Sequence, residues 1–226
     1  MKSIISILSI VLTVSLAKAQ QISLREISSN IKFNQQIDEF NNGKEKIKYA
    51  DIQGIPYYYY SKFIDAKVGE TSGTIPIRYN IFLDTVEVSE KGTVYELPKD
   101  EPTPSFTFTT TKEKLVFVKT NDLYSGHFFE LNSGKYRILK KVVAKYTAAT
   151  PAPNSMIAGT PAQFSTQKPM YFIQFENSFI KIPKNAKELA AEMPHKAKEI
   201  KEFMDKNKIK LNREEDLIKL GNFLNQ

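Results

Sequence analysis

The residues of this sequence best suited to acid–base chemistry are two histidines, His127 and His195, and four carboxylates on or near predicted strands, Asp84, Glu87, Glu96 and Glu130. A pair of carboxylates at the right separation is all that glycoside hydrolysis requires. Nothing in the spacing selects one pair, and the same residues read equally as solvated or turn positions. Each histidine is isolated, one at a strand start and one at a helix start. No His-Glu-x-x-His run occurs, so both read as ordinary partly exposed side chains rather than metal ligands. The chain has no cysteine and no Gly-x-Ser-x-Gly elbow, which removes the common nucleophile arrangements. Phosphate loops, dinucleotide fingerprints and EF-hand spacings are missing too. The sequence therefore assigns no catalytic, cofactor-binding or metal-ligating residue.

Two features have the composition of a contact surface. The first is the run Tyr57-Tyr58-Tyr59-Tyr60. On a strand, alternate members would face opposite sides, leaving two exposed. Tyrosine offers a flat apolar area with a polar tip, though its strand preference also suits a core strand. The second is Arg78 with Asn80, on the face opposite Ile77 and Tyr79. If that face is covered, Arg78 needs a carboxylate, and Asp84 and Glu87 are within reach.

These residues sit in a chain that reads as strands first and helices last, an α+β layout: a predominantly antiparallel β-sheet domain with a C-terminal helical hairpin. Residues 20–48 form a mixed polar arm. From 49 to 182, segments rich in Tyr, Phe, Val, Ile and Thr are divided by Gly, Pro, Asn and Asp. Ile77, Tyr79, Ile81 and Leu83 alternate, then Val86 and Val88 take the other phase, which predicts a bulge or bend near Asp84. Asp100–Pro104 reads as a loop. Asn132-Ser133-Gly134 predicts a hairpin between His127–Leu131 and a long strand, Tyr136–Tyr146, with Arg137, Lys141 and Lys145 on its solvated face. Thr147–Pro169, with four prolines, reads as a long loop, functional or solvated. In the helical segment, 183–226, Asn185 with Glu188 and Asn212 with Glu215 have capping spacing, and Pro194 divides the first helical stretch.

The N-terminus suggests an address. Lys2 precedes an apolar run from Ile4 to Leu16, and Ala17-Lys18-Ala19 follows, the pattern of a signal peptide over residues 1–19 cleaved after Ala19. The run is too short to span a bilayer, which takes about 20 apolar residues. Without cysteine there is no lipoprotein anchor. The formal charge is +7, falling to about +5 once Lys2 and Lys18 leave. This mild basicity suits anionic surfaces, but acidic residues are interspersed throughout, which argues against nucleic acid.

Gly54-Ile55-Pro56-Tyr57, Ile75-Pro76-Ile77-Arg78-Tyr79-Asn80, Gly126–Leu131 and the Lys/Glu-rich end from Ile182 to Lys219 together resemble a group of uncharacterised secreted proteins of flavobacteria-like bacteria. The resemblance implies an envelope address and supplies no activity or site residues. The expectation is thus a secreted or periplasmic, non-enzymatic binding or structural protein. Its partner would be another envelope protein or an anionic envelope polymer. The alternative is a periplasmic hydrolase acting on glycan or peptide through paired carboxylates.

Overall fold

The computed structural model describes residues 52–59, 61–97, 104–120, 123–154 and 156–226. The expected signal peptide, the N-terminal arm, Tyr60 and Asp100–Thr103 lie outside these. The strands in chain order are β1 (Ile64–Val68), β2 (Thr74–Asn80), β3 (Thr85–Glu90), β4 (Thr93–Leu97), β5 (Phe106–Phe108), β6 (Lys114–Val118), β7 (Gly126–Asn132), β8 (Arg137–Lys141), β9 (Ala144–Thr147), β10 (Gln163–Thr166), β11 (Met170–Phe175) and β12 (Ser178–Lys181). Three α-helices follow, α1 (Ala186–Glu192), α2 (Ala197–Asn207) and α3 (Glu214–Leu224). The α+β reading holds, and the helical segment contains three helices. No helix among the described residues is long and apolar enough to cross a membrane.

Ten strands form one antiparallel sheet in the order β12-β11-β8-β7-β6-β5-β1-β2-β3-β4, and β9 and β10 pair separately. The large sheet curls strongly. β2 and β7 stand four places apart in that order, about 19 Å in a flat sheet. Yet the Tyr79 and Phe129 rings, one from each strand, have centroids 5.9 Å apart. The curl encloses a core of Ala66, Val68, Ile77, Tyr79, Val86, Val88, Leu97, Phe106, Phe108, Leu115 and Phe129. A second core lies where Leu189, Met193, Ile200, Met204, Leu217, Leu220 and Leu224 of the helices cover Tyr136, Ile138, Ile173 and Phe175. Each such side chain taken fully out of water contributes about 1.5–3 kcal/mol.

Several sequence expectations change in detail. The phase change at Asp84 is a hairpin turn, not a bulge within a strand: residues 81–84 reverse the chain and Asp84 has φ 58°. Asn80 Oδ1 stabilises this turn by accepting from Phe82 N–H at 3.1 Å and Leu83 N–H at 3.0 Å. The register irregularity falls instead on β7, between Glu130 and Asn132. The long strand Tyr136–Tyr146 divides, because after Lys141 the chain leaves the large sheet and Ala144 N–H donates to Ile81 C=O at 2.9 Å.

Thr147–Pro169 is also less irregular than expected. Its start and end are the arms of a hairpin, with Thr147 opposite Gln163 and single bridges at Thr150–Thr160 and Asn154–Ile157. At the helices, Asn185 does cap α1, accepting from Glu188 N–H at 2.9 Å. Asn212 does not cap α3. Arg213 occupies that position without a side-chain bond, and Asp216 Oδ2 accepts from Lys210 N–H at 3.1 Å.

Candidate functional site

The predicted contact residues divide between two sides of the curled sheet. Tyr57 bridges to Asn80, and its ring covers the Arg78 guanidinium at 3.9 Å, with Phe63 at 4.5 Å. Arg78 Nε donates to Glu87 Oε2 at 2.8 Å, Arg78 Nη2 pairs with the same oxygen, and Nη1 donates to Ser61 C=O at 2.7 Å. The partner anticipated for Arg78 is therefore Glu87, directly across the β2–β3 ladder. Glu96 stands opposite Glu87 on β4. The two carboxylates are 0% and 5% exposed, so this pair is enclosed, with Arg78 as the counter-charge of Glu87. Asn80 is buried as well, and its oxygen is spent on the turn.

Tyr58 and Tyr59 do not continue a strand. Tyr59 adopts φ 68°, and the two rings pack against each other with centroids 4.1 Å apart. Tyr58 reaches into a charge cluster that the sequence did not announce. Lys140, which the sequence did not single out, is 4% exposed. Its Nζ donates to Tyr58 Oη at 3.3 Å, Glu113 Oε1 at 3.2 Å and Glu214 Oε2 at 3.2 Å. Tyr58 Oη donates to Glu113 and Tyr171 Oη to Glu214, each at 3.2 Å. Burial, with Glu214 alongside, pushes the Tyr171 phenol up to about 12. Burial and then Glu113 raise Tyr58 further. This cluster ties the sheet to α3.

A third cluster lies at the β2–β3 turn. Lys141, expected on a solvated face, is 5% exposed. Its Nζ donates to Asp84 Oδ2 at 3.0 Å and to His127 C=O at 3.2 Å. Tyr79 Oη donates to Asp84 Oδ1 at 2.7 Å, and burial with this neighbour raises its pKa well above the usual 10. His127 Nδ1 lies 3.1 Å from Asp84 C=O. A carbonyl only accepts, so Nδ1 carries the hydrogen. His127 Nε2 is buried with no hydrogen bond among the described residues, and the imidazole ring meets the Tyr79 and Phe117 rings in edge arrangements. Asp–His adjacency of this kind is a positioning motif in hydrolases, but here it is packed against aromatic rings. His195 stacks beside Tyr136, its Nε2 3.3 Å from the phenol oxygen. Among the described residues no group of three His, Asp or Glu side chains is placed to hold a metal.

The polar clusters face inward, and two other features face outward. The first is the hairpin carrying β9 and β10. Its base is an aromatic cluster in which Phe164 meets Phe82 at 5.0 Å and Tyr146 at 5.7 Å, with Ile52 and Ala162. Further out, Thr150 and Thr160 exchange main-chain hydrogen bonds of 2.8 and 3.0 Å. At the tip, Asn154 Oδ1 accepts from Met156 and Ile157 N–H, both at 3.0 Å. That turn presents Met156, 94% exposed, and Ile157, 56% exposed. The second feature is a groove of about 580 Å³ between the β11–β12 ladder and the α2–α3 connection. Met204, Ile209 and Leu211 are buried beside it, and Lys184, Lys210 and Asp205 are exposed around it.

Comparison of the chain with protein-family models, curated proteins and solved structures returned no match.

Proposed function

We propose that this chain is a secreted or periplasmic protein with a non-enzymatic binding or structural role, and that it meets another macromolecule through the β9–β10 hairpin. The observation that carries the reading is the character of that hairpin. One residue in four of the chain is charged, yet no charged residue occurs between Lys145 and Lys168. The exposed side chains of the segment include the large apolar Met156 and Ile157. The turn is held by its own hydrogen bonds, so docking it costs less conformational entropy than ordering a free loop. Methionine adapts to irregular apolar pockets.

A protein pocket suits this tip better than a lipid surface. Beyond its base, where Gln53 pairs with the β10 edge, a two-stranded hairpin offers main-chain groups along its edges that hydrocarbon does not tolerate unpaired. Pro151, Pro153 and Pro161 lack N–H donors, which discourages strand addition along the arms and leaves the tip as the contact. The extracytoplasmic address draws on the signal-peptide pattern at residues 1–19.

The hydrolase alternative draws on Glu87 and Glu96, the carboxylates that stand directly opposite each other. Their burial and the Arg78 ion pair weigh against it, because a hydrolytic pair needs access to substrate and water.

The test is chemical cross-linking of the protein in its native envelope, with residue-level mapping. A single enriched partner, cross-linked through 147–166 and lost on Met156→Ser/Ile157→Ser, supports the reading. A map that avoids the hairpin, or no enriched partner, ends it.

A further inference from the structure

β12 is an outer strand of the ten-stranded sheet. Ile182 N–H donates to Tyr171 C=O at 2.8 Å. In an antiparallel ladder the residue before it, Lys181, then turns its own N–H and C=O away from β11. The Lys181 side chain lies on the other face of the sheet, where Nζ donates to Tyr124 Oη at 3.1 Å. Lys181 therefore offers main chain at the sheet edge, where it borders the groove described above. Next to it, Met204, Ile209 and Leu211 supply an apolar floor, and Tyr171 and Ile182 are half-buried. At the rim, Lys184 and Lys210 have no carboxylate partner among the described residues, and Asp205 is the one acidic side chain of the lining.

A strand edge unpaired among the described residues, an apolar floor and a cationic rim together suit one kind of occupant. We propose that this groove binds an extended acidic peptide containing an apolar residue. The apolar side chain rests on Met204, Ile209 and Leu211. Flanking carboxylates meet Lys184 and Lys210. The peptide main chain bonds Lys181 as strand addition does elsewhere. The volume, about 580 Å³, falls within the range of side-chain and small-ligand pockets, about 300–1,000 Å³. Pro183 has no N–H, so addition stops after Lys181 and one register is preferred. A polyanionic glycan would use the lysines but neither the apolar floor nor the strand edge, which is why a peptide is favoured.

The experiment measures binding of a fluorescent peptide of alternating Glu and Leu to the whole protein by anisotropy. Expected are saturable binding, about tenfold weakening by Lys184→Glu/Lys210→Glu, and tightening by Asp205→Lys, all three side chains being exposed. Equal binding by the lysine variant overturns the proposal. So does equal affinity for an all-Glu peptide or a sulfated glycan, which signals attraction of polyanions only. A concentration-dependent dimer in light scattering, abolished by the same lysine variant, assigns the edge to a second copy and also overturns it. The Met156→Ser/Ile157→Ser protein should bind the peptide normally, so the outcome is separable from the hairpin reading.

Discussion

Asn225 grips the main chain of Tyr136 from both sides: its Oδ1 accepts from Tyr136 N–H at 2.8 Å, and its Nδ2 donates to Tyr136 C=O at 2.8 Å. A side-chain amide thus serves as the β-partner that the β7–β8 turn lacks. Asn225→Ala takes the acceptor from Tyr136 N–H and leaves Tyr136 C=O with the longer bond from Asn132 Nδ2, at 3.2 Å. The expected loss is about 1–3 kcal/mol, seen as a lower urea midpoint at unchanged slope. Asn225→Asp should recover only the acceptor half.

The Lys140 cluster predicts a second loss. Lys140→Met removes the cation shared by Glu113 and Glu214 and brings their charges face to face. Glu113 and Glu214 side chains are 23% and 40% exposed, so water screens part of the effect. The expected cost is about 2–3 kcal/mol, below the roughly 3–5 kcal/mol of a fully enclosed pair. Adding Glu113→Gln to the same protein should restore part of it, and a double-mutant cycle by urea denaturation measures the coupling.

Alkaline titration tests the same cluster from the phenol side. Tyr171 is raised from 10.0 to about 12 in the folded protein, by burial and then by Glu214. A raised folded value means that the stabilising contribution is complete below the unfolded pKa, near 10, and is lost as pH climbs through about 12. Stability should therefore fall over that window, and tyrosinate absorbance should lag behind that of the unfolded chain. Tyr171→Phe should flatten the fall. A protein whose urea midpoint is level across the window contradicts the assignment.

Gly126 predicts a steric failure. It has φ 145°, and a Cβ there would lie 1.8 Å from Asp84 Oδ2. Gly126→Ala must push Asp84 off Lys141 and off His127 N–H. The expected destabilisation is about 2–4 kcal/mol, from strain and a broken buried ion pair together. Asp84→Asn, which keeps the shape, should cost less, and thermal unfolding of the two variants separates space from charge.

Much of the β layout could be read from the chain because its signals are local. Ile77, Tyr79 and Ile81 alternate as a half-buried strand must, the Asn185 cap precedes its helix directly, and Arg78 declared its need for a carboxylate, which of the two candidates Glu87 meets. Lys140 and Lys141 were illegible for the opposite reason. A lysine on a strand reads as solvated, and Asp84, which takes Lys141 into the interior, is 57 residues distant. The split between β8 and β9 was hidden likewise, since the chain leaves one sheet to reach Ile81. The hairpin at 147–166 lacked the strand-forming composition of its neighbours, and its arms are held by Phe164, Tyr146 and Phe82 rather than by propensity.

The joining of Tyr58, Lys140 and Glu214 has a consequence in time as well as in space. Tyr58 and Lys140 are 82 positions apart, Lys140 and Glu214 74, and Tyr136 and Asn225 89. Consecutive strands such as β2, β3 and β4 or β5 to β8 can pair early, but these remote pairs need long loops shut before their contacts reward the closure. The expected folding time is the milliseconds-to-seconds range of sheet proteins, which stopped-flow refolding would measure. Until α3 docks, Lys140 and its two carboxylates stay in water at little cost, so the docking of this helix and the burial of Lys140 are expected as one late step.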